Sequence, residues 1–175
     1  MCYAHVIRRI WRLRIAHRIH AHLMKSIIFV CHGNICRSPA AEWIMKYLLQ
    51  RFNLEEDFFV VSRATSLEEI GNDIYPPMKR ALYNREIPFF EHHAKRIDQE
   101  EFDKADFIFY MDNLNKRYLE RLFGELPDKC QIITKYTENL EYIDDPWYTG
   151  QFDNVVNQLE ECCKSIITKL LLKIK

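Results

Sequence analysis

The stretch "FVCHGNICRSP", residues 29–39, decides how the rest of this chain is read. It leaves a short apolar run, Ile27 to Val30, with the character of a central parallel strand covered on both faces. Beyond it, Ala41, Ile44, Met45, Leu48, Leu49 and Phe52 recur at helical spacing and predict an amphipathic helix. Residues 31 to 38 therefore form a strand-to-helix loop, with Ser38 expected as N-cap and Pro39 at the first helical position. Backbone N–H groups of such a loop converge on one centre with the positive end of the helix dipole behind them, which makes an anion site. Gly33 permits tight curvature, and Asn34 tolerates a left-handed backbone. Arg37 supplies a planar fork for two phosphate oxygens, and Cys31 is left beneath the phosphorus. A helix N-terminus and a neighbouring arginine both favour a thiolate, to which the Ser38 hydroxyl is placed to donate. Displacing an ester oxygen from phosphorus then needs a proton donor from elsewhere in the chain.

Working outward, Phe58–Ser62 reads as a second strand and Met78–Glu86 as a helix whose start is marked by Pro76 and Pro77. Phe107–Met111 reads as a third strand, Asn113–Phe123 as a helix stopped by Gly124, and Cys130–Ile133 as a fourth strand. Apolar residues from Phe152 to Leu171 return to helical spacing. This alternation predicts an α/β fold: a three-layer open sheet of about four parallel strands flanked by helices, with the phosphate loop after the first strand.

Composition narrows the function. At 175 residues, 48% hydrophobic and 29% charged, the chain suits one globular domain. Its six cysteines (Cys2, Cys31, Cys36, Cys130, Cys162 and Cys163) form no zinc-type spacing, and a disulfide scaffold is out of place at this length. A reducing, cytoplasmic setting is the expectation, with no metal and no cofactor. Residues 24–175 carry 20 basic and 25 acidic residues, a net charge of −5, which argues against nucleic acid as a partner.

Residues 1–23 differ from the rest: five arginines, four histidines and no acid. They contain no membrane span and no apolar run of secretory-signal length. Ile7, Trp11, Ile15, Ile19 and Leu23 recur every four residues, as on a basic surface helix or a transit-type segment. The plainer reading takes Met24 as the natural start, leaving 1–23 as a disordered extension or a start-site artefact ahead of one domain over 24–175.

The string "CHGNICRSP" resembles the signature C-x-G-N-x-C-R-S-P of the low-molecular-weight protein tyrosine phosphatases, in their bacterial form. "DDPWYTG" (144–150) resembles the family's Asp-Pro-aromatic acid motif, and "SRATS" (62–66), "EIGN" (69–72), "HHAKRI" (92–97) and "YMD" (110–112) are similar too. The likeness runs from about Met24 to the end. It implies that Cys31 is the nucleophile, that Arg37 binds phosphate and stabilises the transition state, and that Asp145 is the general acid and then base. His32, Gly33, Asn34, Ile35, Cys36 and Arg37 would surround the phosphate, with Asn34, Ser38, Ser62 and His92 bracing the loop. His32, Glu68, Trp147 and Tyr148 would wall the substrate pocket. His32 and Glu68 depart from common family versions, Glu68 standing where an aromatic residue is frequent, so the preferred substrate is open. The resemblance also implies a protective disulfide between Cys31 and Cys36. It further implies a tyrosine-phosphorylated protein as partner, such as a bacterial tyrosine kinase, and a monomer or weak dimer.

Plainer roles compete at several positions. Cys36 also reads as packing, Trp147 as core, Asp144 as a solvated turn residue, Cys162 and Cys163 as core, and "DQEEFD" (98–103) as a helix start. Two other functions compete with the phosphatase. A thiol-dependent arsenate reductase needs further cysteines placed to relay a disulfide. A non-catalytic phosphotyrosine-binding module would need neither the nucleophile nor the acid.

Overall fold

The computed structural model describes residues 24–174. The readings of residues 1–23 lie outside the described residues. Four strands, β1 (Lys25–Cys31), β2 (Phe58–Ala64), β3 (Phe107–Tyr110) and β4 (Cys130–Ile132), form one sheet in the order β2-β1-β3-β4. Every pairing is parallel, with Cys31 opposite Ala64 and Val30 opposite Tyr110. The helices are α1 (Arg37–Arg51), α2 (Pro76–Asn84), α3 (Gln99–Lys104), α4 (Asn113–Phe123), α5 (Pro146–Thr149) and α6 (Phe152–Ile166). After α6 the chain continues through a π-helical turn, Ile167–Leu171.

The alternation of side chains along β1 divides the core. Ile27 and Phe29 pack with α1, α2 and α6 on one face, whereas Ile28 and Val30 pack with Phe102 of α3 and Leu119 of α4 on the other. Burial on both faces is why β1 reads as a continuous apolar run. The three-layer expectation holds, and Asn113–Phe123 ends at Gly124 as read, with Gly124 at φ +82°.

Several boundaries differ from the expectation. α1 begins at Arg37, with Cys36 in the N-cap position and no side-chain cap. Ser38 is not the N-cap and Pro39 is not the first helical residue. The Ser38 hydroxyl is engaged by the loop instead, and Pro39 loses nothing in a first turn whose N–H groups have no helical partner. Phe52 lies just past the helix end and is 40% exposed, unlike the buried Leu48 and Leu49. α2 starts two residues early on the proline pair and stops at Asn84, because Glu86 takes φ +55°. Ile133 leaves β4 and opens a short 3-10 turn, Ile133–Tyr136. The acid run after Asp98 is a helix start: Asp98 and Glu101 form a reciprocal capping box on α3. Cys162 and Cys163 are fully buried in α6, as the core reading expects.

Candidate active site

The carboxyl end of β1 delivers Cys31 into a loop whose backbone is held from behind by side chains. Asn34 is the centre of that scaffold. Its Nδ2 donates to the hydroxyls of both Ser38 and Ser62 at 2.9 Å, and its Oδ1 accepts from the Lys95 N–H at 3.1 Å. It adopts φ +59°, a conformation few residues other than glycine take cheaply. The Ser62 hydroxyl in turn donates to the Glu42 carboxylate at 2.6 Å. Because Asn34 fills the acceptor side of Ser38, the Ser38 proton is free for the Cys31 sulfur 3.0 Å away or the Arg63 carbonyl at 3.3 Å. His92 donates from Nε2 to the Asn34 carbonyl at 2.7 Å. Burial pushes the His92 imidazole below its ordinary range, against the pull of that hydrogen bond, which favours the neutral ring.

Gly33 is needed for space rather than for an unusual φ. A Cβ there would stand 2.9 Å from Cγ of Glu69. Among the described residues, no hydrogen bond engages the N–H groups of His32, Gly33, Asn34, Ile35 or Cys36. Five consecutive N–H groups without protein partners, three of them on buried residues, are what an anion-binding loop presents.

Arg37 is 2% exposed, and both of its terminal nitrogens are hydrogen-bonded. Its Nη1 donates to Asp112 and to the Ile143 carbonyl, and its Nη2 donates to Asp145 Oδ2 at 2.6 Å. Burial works against its charge, but Cys31, Asp145 and Asp112 around it more than offset that, so its pKa is raised. The other oxygen of Asp145 accepts from the Trp147 N–H at 3.1 Å and caps α5. One carboxylate is thus shared between the arginine and a helix N-terminus. Burial, with Cys31 and Asp145 nearby, pushes the Cys36 thiol well up, so it stays protonated; both Cys31 and Cys36 are free.

Above this floor opens a cleft of about 190 Å³ lined by Cys31, Arg37 and Asp145 below and by Glu68, Glu69, Trp147 and Tyr148 toward the mouth. Trp147 is 55% exposed and lies against the pocket rather than in the core, with its ring 5.1 Å from that of Tyr75. Asp144 is half-buried and Tyr148 is almost wholly exposed. Of the residues singled out from the sequence, Cys31, His32, Gly33, Ile35, Cys36, Arg37, Glu68, Asp145, Trp147 and Tyr148 line this cleft, while Ser38, Ser62 and His92 are hydrogen-bonded to Asn34 and do not line it.

A family model described as low molecular weight phosphotyrosine protein phosphatase matches residues 26–174. The chain belongs to this family. The human protein named low molecular weight phosphotyrosine protein phosphatase is 36% identical over 154 residues, 83% of this chain and 95% of that protein. The protein named low molecular weight protein-tyrosine-phosphatase YfkJ, from Bacillus subtilis, is 30% identical over 150 residues, 84% and 96% of the two chains. The crystal structure of YfkJ superposes with a TM-score of 0.82 over 87% of this chain and 98% of that one, at 28% identity. A protein tyrosine phosphatase from Entamoeba histolytica, solved with Hepes in its active site, gives a TM-score of 0.76 at 29% identity, covering 86% of this chain and 99% of that one.

Within this phosphatase fold, sequence reasoning missed four neighbours of the site. Glu42 reads as one more polar position on an amphipathic helix, with only Lys46 four residues on as a hint, yet it is 8% exposed and accepts a hydrogen bond from Ser62. Asp112 sits in the quoted "YMD" stretch, but nothing local says that it grips Arg37. Tyr75 buttresses Trp147 across 72 positions of chain, and Tyr118 lies with its ring 5.1 Å from that of His32. Contacts this long-range leave no spacing signal.

Proposed function

We propose that this chain hydrolyses phosphotyrosine in proteins through a phosphocysteine intermediate. The observation that carries the reading is the stack of Cys31, five unpartnered loop N–H groups and the Arg37–Asp145 pair in one cleft. A phosphate dianion entering the loop takes the N–H groups and the Arg37 fork, competing with Asp145 for Nη2. That frees Oδ2 of Asp145 to take up a proton from solvent and face the leaving oxygen. The Cys31 thiolate attacks phosphorus, the P–O bond to tyrosine breaks, and Asp145 gives its proton to the departing phenolate. Water then attacks the phosphocysteine, its proton goes to the Asp145 carboxylate, and the S–P bond breaks to return the thiolate. Arg37 and the loop N–H groups hold the charge that gathers on the equatorial oxygens in both steps.

The substrate is a tyrosine-phosphorylated protein, a bacterial tyrosine kinase being the first to try. The site draws on one chain, which suits a monomer or weak dimer in a reducing, cytoplasmic setting. No helix among the described residues is long and apolar enough to cross a membrane. A peroxide that oxidises Cys31 to a sulfenic acid would let the Cys36 thiol condense with it, releasing water and a reducible disulfide. The arsenate reductase reading finds no support: Cys130 is half-buried in β4, and burial pushes its thiol up to about 11 and that of Cys162 up to about 12. Cys163 is fully buried in the same helix.

The test is hydrolysis of p-nitrophenyl phosphate with a chelator present. Cys31→Ser is expected to be inactive, and Asp145→Asn to lose about 10²–10⁴-fold in rate. Full activity in Cys31→Ser overturns the reading.

A further inference from the structure

The mouth of the cleft carries a contact that phosphate chemistry does not require. His32, directly after the nucleophile, meets Glu68 Oε2 through Nε2 at 3.1 Å. Both ends of the contact are built. The His32 ring lies against Tyr118, and its carbonyl accepts from the N–H groups of Thr65 at 3.1 Å and Ser66 at 3.0 Å. Those two N–H groups tie the phosphate loop to the segment that carries Glu68. Next to it, Glu69 accepts from Asn72 Nδ2 at 2.7 Å and leans into the space that Gly33 leaves open. Two carboxylates thus line the cleft together with the exposed rings of Trp147 and Tyr148.

We propose that the His32–Glu68 pair is a specificity device, selecting phosphotyrosine that has a lysine or arginine beside it in the substrate. The inference rests on the phosphatase reading above. With the tyrosine ring in the cleft, the adjacent residue of an extended peptide lies one Cα step, about 3.8 Å, along the mouth. Arg37, the one arginine among the described residues that line the cleft, is bound to Asp112 and Asp145 and is needed for the phosphate, so it does not balance the rim. An acidic neighbour of the phosphotyrosine meets like charge at Glu68 and Glu69. A basic one meets the Glu68 carboxylate, whose Oε1 has no partner among the described residues, and two exposed aromatic rings. His32 uses Oε2 of Glu68, which sets the carboxylate at the mouth instead of leaving a 71% exposed side chain free to roam.

The experiment compares two phosphotyrosine peptides, identical except for arginine or glutamate on either side of the phosphotyrosine. Their kcat/KM ratio is read on each variant, which cancels differences in the fraction folded. The wild type is expected to favour the arginine peptide by about fivefold, with the gap shrinking in high salt. Glu68→Gln should narrow the ratio, and Glu68→Lys should invert it. Phosphate release from both peptides with an unchanged ratio in Glu68→Lys overturns the inference and leaves the phosphatase reading standing. Release from neither peptide overturns both.

Discussion

The floor and the mouth of the cleft are built in opposite ways. At the floor Cys31, Asn34, Arg37 and Ser38 are all less than 4% exposed, and each side chain is held by one or more hydrogen bonds. At the mouth Trp147 and Tyr148 are 55% and 85% exposed. A buried polar group without its partner costs roughly 1–3 kcal/mol, so every floor residue is fixed by its neighbours. An exposed wall residue carries no such penalty. The chemistry is over-determined at the floor, while substrate preference at the mouth is open to change.

The largest effect is therefore expected at Asn34. Asn34→Ala strips partners from Ser38, Ser62 and the Lys95 N–H and forces alanine into the left-handed region. It should cost about 2–4 kcal/mol in urea unfolding and lower kcat/KM for p-nitrophenyl phosphate more than about tenfold. A near-neutral result would mean that the loop keeps its shape without this scaffold, and the contrast between floor and mouth would fail.

A smaller effect is expected at Trp147. Trp147→Ala removes half-exposed ring surface, so stability should stay within about 1 kcal/mol while KM for an aryl phosphate rises about threefold with kcat nearly kept. Because the Trp147 N–H binds Asp145 through backbone, the variant keeps that contact. A fall in kcat larger than the rise in KM would assign the ring to positioning the acid and would sharpen the division.

The same contrast explains what could be read from sequence. Strands β1 to β4 and helix α1 were legible because burial on one or both faces writes a periodic apolar pattern into the chain. Cys31 to Ser38 are legible because the phosphate loop proposed for them needs its residue types at fixed local spacing. Asp145 was reached through its proline and aromatic neighbours and the family resemblance. The helix starts two residues before the point that Ser38 marks, since Ser38 is a good N-cap by type but is used by the loop. Glu42, Asp112, Tyr75 and Tyr118 stayed hidden because they meet the site only through the fold. The His32–Glu68 contact joins residues 36 positions apart, and either alone reads as an ordinary polar side chain.

The most direct test of the central claim is to quench the enzyme in acid during turnover of p-nitrophenyl phosphate and map the phosphate by peptide mass. The account predicts one phosphoryl group on Cys31, absent from Cys31→Ser. Turnover with no phosphorylated residue, or with phosphate on another side chain, would contradict it.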